Sequence, residues 1–324
     1  MKTRVEKSGS REVEETAERS RHFGKRDRIL PPIHPLNEVA SPERSVTPSP
    51  WWLRWRAIEQ ISRQEVRDAV YGWSLYLAAA VVVLVGVVLV YNTLRSVAES
   101  GLEIVGRPFY SAVVIATSVG AVYLAGWAAL AIARPRDQGA LRVLFFAPVD
   151  PLGLLGAHMV AALAVYILFL LLTMPLFALL AAVTNLPLPT TLLAGVLVSP
   201  ALVAPAVGVG LFISAIAPSG RSAVFVFAAA LAFVLATRIG YSALLQIPPT
   251  SRYYDALLFL RELLQAMREA LQWVSPLELL SQGLDAANRA NWRELLLHVV
   301  SGLLGAVIWL GLAVWALGRR GVLP

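Results

Sequence analysis

The sequence contains no cysteine and few charged residues. Of its 324 residues only 15% are charged, whereas 57% are hydrophobic. The missing cysteine excludes a disulfide framework, thiolate chemistry and Cys-based metal sites. A soluble domain is about one quarter charged and about half apolar, so this composition favours burial in lipid.

Residues that carry out chemistry are also sparse. The four histidines, at positions 22, 34, 158 and 298, are scattered, and none stands beside a carboxylate at the spacing of metal ligands. No G-x-x-x-x-G-K-[S/T] phosphate loop and no G-x-S-x-G nucleophile elbow occurs. We therefore expect no catalytic, cofactor-binding or metal site on this chain, and no ATP hydrolysis by it.

Long apolar runs dominate the rest of the chain. At about 1.5 Å per residue, each is long enough to cross a hydrocarbon core about 30 Å thick. They predict an all-α integral membrane protein with six transmembrane helices, over Tyr71–Leu94, Phe109–Ala133, Leu154–Val183, Thr191–Ala217, Arg221–Leu245 and Leu296–Leu317. No Asp or Glu falls within these spans, which disfavours a proton- or sodium-coupled carrier.

The placement of Lys and Arg predicts the orientation. A net charge of +7 could indicate nucleic-acid binding, but most of the excess flanks the apolar runs, as it does in membrane proteins. We expect a multi-pass protein of the cell membrane with both termini in the cytoplasm, and no nucleic-acid partner.

Two segments precede the six-helix domain, residues 71–324. Residues 1–50 hold ten Lys/Arg, eight Asp/Glu and repeated prolines, which predicts a disordered cytoplasmic tail; the alternative is a basic arm that docks on a partner or on anionic lipid. Residues 51–70 predict an amphipathic helix in the membrane interface, or a soluble helix packed on a partner. Its apolar face carries Trp51, Trp52, Trp55 and Ile58, and its polar face includes Arg63 and Arg67.

The segment 246–295 is predicted to lie outside the membrane. It contains two amphipathic stretches, at 253–273 and 276–288, which are too charged to span and should lie against the outer mouth of the bundle. Arg238, near the outer end of the fifth span, either extends to the lipid headgroups or contacts an anionic substrate or an acid of these outer helices.

The segment 134–153, between the second and third spans, reads RPRDQGALRVLFFAPVDPLG and predicts a short helix on the cytoplasmic face. Phe145 and Phe146 would be costly to leave in water, so this element should dock on the interface or on another protein.

Three stretches resemble the permeases of type-2 ATP-binding-cassette (ABC) exporters. Those permeases carry the pattern E-R-x-x-G-T-L-E-x-L-x-x-x-P-V, and here Arg136–Leu144 and Ala147–Val149 occupy it, with Ala140 in place of Thr and Arg142 in place of an acid. Residues 214–223 resemble the family's tight turn between spans four and five. Ser275, Pro276 and Leu277, with Gly283 and Leu284, resemble its S-P-L…G-L segment before span six.

The resemblance implies a specific assembly. A coupling helix over 137–147 would dock on a separate cytoplasmic ABC ATPase, which would bind ATP and magnesium. A second permease chain, identical or homologous, would complete a pathway for a drug, lipid or polysaccharide, with spans two and five near the dimer axis and Arg238, Ser275 and Pro276 as candidate pathway or outer-gate residues. The coupling residues would be Asp137, Gln138, Gly139, Leu141, Arg142, Leu144, Phe145, Phe146 and Pro148. A different transporter or channel, a membrane-embedded enzyme and a scaffold remain as alternatives.

Overall fold

The computed structural model describes residues 51–100, 108–139, 150–186, 188–247 and 254–319. The predicted tail and residues 140–149 of the coupling segment lie outside this part of the chain. The described residues form ten helices: α1 Trp51–Tyr71, α2 Trp73–Ser100, α3 Pro108–Leu130, α4 Ala133–Asp137, α5 Pro151–Thr184, α6 Thr190–Ile216, α7 Gly220–Leu245, α8 Tyr254–Val274, α9 Pro276–Asn288 and α10 Trp292–Arg319.

Six of these helices are long and apolar enough to cross a membrane, namely α2, α3 (continued through α4), α5, α6, α7 and α10. The predicted all-α fold with six helices of membrane-spanning length is therefore confirmed. The helices α5 and α6 run on through Pro175, Pro200 and Pro205.

The centre of the bundle is α6, which packs against α3, α9 and α10. In its most apolar window 67% of the residues are buried, whereas the corresponding share in α7 is 11%. Lipid tails are as apolar as leucine, so the packing of membrane helices depends on close contact and interhelical hydrogen bonds. The small residues of α6 supply that contact.

Glycines on α6 and α10 allow backbones to approach closely. A β-carbon at Gly210 would overlap the Ala125 carbonyl oxygen of α3, and one at Gly208 would lie 2.8 Å from Cβ of Trp309. On α10, a β-carbon at Gly302 would lie 2.8 Å from the carbonyl oxygen of Ala201. These glycines thus allow helices of this chain to pack closely against one another.

Hydroxyl groups inside the bundle are hydrogen-bonded. Thr117, Thr173 and Thr237 each donate to a carbonyl four residues earlier in the same helix. Between α5 and α6, the buried Tyr166 and Ser199 hydroxyls lie 3.1 Å apart and share a hydrogen bond. Every such group avoids the cost of an unpaired polar atom in an apolar medium.

Replacing Gly210 by Ala tests the close approach of α6 to α3. The new methyl group would overlap the Ala125 carbonyl, so we expect a loss of roughly 1–3 kcal/mol in stability, seen as a lower unfolding temperature of the detergent-solubilised protein. Gly311→Ala is the matched control, because nothing lies within 4 Å of its β-carbon position. Equal unfolding temperatures for the two variants would contradict the packing described here.

Candidate functional site

The best-connected polar site lies where α3 breaks and the chain enters α4. Ala131 and Ile132 form a turn between the two helices, which removes the regular acceptors for the next backbone amides. The Ser214 hydroxyl of α6 accepts hydrogen bonds from the amides of Ile132, at 2.9 Å, and Ala133, at 3.0 Å. All three residues are buried, so a neighbouring helix satisfies the break.

The charged residues that follow contact both sides of the turn between α6 and α7. Arg136 Nη1 donates to the carbonyl of Ala217, at 2.5 Å, where α6 has ended. Asp137 Oδ2 accepts from the amide of Gly220, the first residue of α7, at 2.6 Å. A cation at a helix carboxyl end and an anion at a helix amino end both complement the helix dipole.

The turn itself begins α7 with a reciprocal cap. Ser219 accepts from the Ser222 amide, while the Ser222 hydroxyl accepts from the Ser219 amide. We call the connected residues 132–137 and 214–222 the junction. Two of the three stretches that carried the family resemblance therefore meet in space, joined by side chains of Arg136, Asp137 and Ser214.

The predicted coupling helix needs a correction at its start. Asp137 ends α4, Gln138 is exposed, and Gly139 has a φ of +72°, a conformation that excludes it from a right-handed helix. A helix that begins at 137 and continues to 147 is therefore wrong at its start, because α4 ends at Asp137 and the helix does not continue through Gln138 and Gly139. The remaining predicted coupling residues lie outside the described part of the chain: Leu141, Arg142, Leu144, Phe145, Phe146 and Pro148.

The predicted interface segment is helical, and its carboxyl-terminal half packs on α5. Ser62 and Ala69 are buried there, whereas Trp55 is 62% exposed. On the polar face, Arg63 pairs with Glu59 at 2.6 Å, and the Arg67 guanidinium lies 5.6 Å from the centre of the Tyr71 ring. Ile58 is half-buried, and the side chains of Trp51 and Trp52 lie outside the description.

Sequence reasoning missed one ionisable pair at this contact. His158 of α5 is nearly buried, and its Nδ1 contacts the carboxylate of Glu65 on α1. The second oxygen of that carboxylate, Oε2, is buried without a hydrogen-bond partner among the described residues. The two residues are far apart in sequence, so no local spacing signals the pair. Within the described chain no three His, Asp or Glu residues are grouped to hold a metal ion.

At the other end of the bundle, the outer-gate residues of the sequence analysis come together. Arg238 and Ser275 line one small pocket, together with Arg268 and Glu278. Ser275 and Pro276 also line an apolar cavity of about 80 Å³ between α3, α6 and α7. Arg238 thus shares a pocket with both a cation and an acid of residues 246–295.

No model of a known protein family matches the chain, and no curated protein matches it significantly.

Replacing Ser214 by Ala tests the junction. The buried amides of Ile132 and Ala133 would lose their acceptor, so we expect a loss of roughly 1–3 kcal/mol in stability and faster hydrogen exchange at these two amides. Ser301→Ala is the control, because Ser301 is exposed and bonds only within its own helix. Unchanged exchange at residues 132 and 133 would show that Ser214 does not hold the break.

Proposed function

We propose that this chain is the membrane-spanning permease subunit of an ABC exporter of the type-2 class, moving a hydrophobic or amphipathic substrate with energy from a separate ATPase subunit. The observation that carries the proposal is the junction. The stretch that resembles the family's coupling motif is bonded to the stretch that resembles its turn between spans four and five.

The junction suits the transmission of a movement from the cytoplasm. Residues 140–149 follow directly after Gly139, and in the proposed assembly they contact the ATPase. A displacement there would act on α4, which is tied to the end of α6 through Arg136 and to the start of α7 through Asp137. Charge-assisted bonds of this kind are among the stronger hydrogen bonds in proteins. Docking of the ATPase at one place would thereby act on three spanning helices, α3 (through α4), α6 and α7.

The packing also suits a hydrophobic or amphipathic cargo. The cavity between α3, α6 and α7 is lined almost entirely by apolar groups, among them Val122, Ile213 and Phe227. Large apolar side chains of α7 are exposed in the protomer, including Phe225 at 75% and Phe233 at 51%. We infer that α3 and α7 face the second permease chain, and that the cargo passes along this surface.

The same proposal assigns the sides of the membrane. The junction and α1 lie on the cytoplasmic side of the cell membrane, with α1 in its interface. The helices α8 and α9 then lie outside, where Arg238, Ser275 and Pro276 line the exit. The alternating placement of the arginine-rich flanks supports this orientation.

Cysteine labelling tests the orientation without background, because the chain has no cysteine of its own. Gln64 on α1 and Ala266 on α8 are both exposed. In intact cells a membrane-impermeant maleimide should label Ala266→Cys at once and Gln64→Cys only after permeabilisation. The opposite pattern would reverse the proposed topology while leaving the six-helix fold intact.

Co-purification tests the function. Phe145→Asp should reduce recovery of a nucleotide-binding ATPase with the tagged chain by at least about tenfold, because an aromatic anchor at an interface is commonly worth 2 kcal/mol or more. Phe259→Asp is the matched control, since Phe259 lies on α8 and is 74% exposed.

The outcomes separate the alternatives. Recovery of an ATPase with the unaltered chain, and its loss in Phe145→Asp alone, would support the permease. Transport by the purified chain in vesicles lacking any ATPase would instead favour a different transporter or a channel, and would overturn the proposal.

A further inference from the structure

A cavity of about 360 Å³ lies between α1 and the carboxyl-terminal part of α3. On α3, Tyr123, Trp127 and Leu130 are spaced so that they share one helix face, and Arg134 of α4 lines the same cavity. Glu65, Asp68 and Ala69 form the facing surface on α1. The cavity borders the junction, because Arg134 and Pro135 belong to both, but the residues that make the junction's bonds, Arg136, Asp137 and Ser214, do not line it.

The cavity is lined by hydroxyl, aromatic and charged groups. Ser74, near the start of α2, and Tyr123 share a hydrogen bond of 2.9 Å between their hydroxyls. Trp127 and Tyr123 supply aromatic surface, and both are half-buried. The side chains of Asp68 and Arg134 are exposed, and both line the cavity.

This lining holds both signs of charge. The Glu65 carboxylate has one oxygen without a hydrogen-bond partner in the described chain, and Asp68 adds a second carboxylate. Carboxylates beside aromatic rings attract an ammonium group. Arg134 offers a guanidinium that suits a phosphate. A single ligand with a phosphate joined to an ammonium would match all of these groups.

The location indicates a lipid as the source of that ligand. The cavity lies where two membrane-spanning helices, α2 and α3, reach one end of the bundle. Beside Ser74, Trp73 is 88% exposed and Leu77 is 69% exposed, which leaves an apolar surface for acyl chains. Tryptophan near the end of a membrane-spanning helix is typical of the headgroup region.

We propose that this cavity binds the headgroup of a zwitterionic phospholipid, such as phosphatidylethanolamine, with its ammonium group near Glu65 and Asp68 and its phosphate near Arg134. Phosphatidylglycerol, which is anionic and has no ammonium, would bring negative charge towards two carboxylates without offering them a cation. The inference needs only a membrane-embedded bundle, so it does not rest on the proposed transport.

The test is native mass spectrometry of the delipidated full-length chain, titrated with phosphatidylethanolamine or phosphatidylglycerol of identical acyl chains. The unaltered protein should bind phosphatidylethanolamine at least about tenfold more tightly. Asp68→Asn should remove most of that preference, because it removes an exposed charge and leaves the contact between Glu65 and His158 in place. Arg134→Gln should weaken phosphatidylethanolamine binding as well.

Glu59→Gln and Arg63→Gln are the matched controls, because these residues form an exposed pair on another face of α1. Both should keep the preference of the unaltered protein. Equal binding of the two lipids, or an unchanged preference in Asp68→Asn, would overturn the proposal. So would displacement of the lipid by soluble phosphoethanolamine at the same concentration, since the acyl chains would then contribute nothing.

Discussion

A chain in hydrocarbon must satisfy its backbone hydrogen bonds without water, and the arrangement of this bundle depends on that constraint. An α-helix satisfies its backbone hydrogen bonds within itself. The helices must then pack together without a hydrophobic driving force between them. The helix α6 solves this with small residues. At Gly208 and Gly210 it brings its backbone against α10 and α3 at distances that a β-carbon would prevent. The bundle is therefore organised around one helix rather than around a central layer of large side chains.

The same constraint explains the junction. Where α3 breaks, two amides lose their helical acceptors close to the membrane edge, and the break persists because Ser214 replaces those acceptors. The end of α6 and the start of α7 likewise have unpaired backbone groups, which Arg136 and Asp137 contact. The backbone groups left open at the break in α3, the end of α6 and the start of α7 are thus hydrogen-bonded by side chains of neighbouring helices. Moving α3 and α6 apart would leave the buried amides of Ile132 and Ala133 without an acceptor, which couples the positions of these two helices.

The six spanning helices could be predicted from sequence because length and hydropathy are local properties. The positive φ of Gly139 was also open to prediction, since glycine after a short charged run is a common helix end; the predicted helix over 137–147 ignored that signal. The partners of Ser214 and Glu65 were beyond such reasoning. Ser214 bonds a residue 82 positions away, and Glu65 meets a histidine of another helix. Periodicity identifies the face of a helix but not the side chain that it meets.

The spanning helices differ in burial, so a movement at the junction would displace some of them more easily than others. The helix α6 is held on several sides, whereas α7 packs more sparsely, against α8, α3, α6 and α4, and leaves most of its apolar length exposed. A helix that is loosely packed along its length can tilt at a smaller cost in lost contacts than a central helix can. Under the proposed function, a displacement of α4 would therefore tilt α7 more than α6. This tilt would occur beside the apolar cavity that α7 shares with α3 and α6. In this mechanism α6 is the fixed helix of the bundle and α7 is the helix that moves against it.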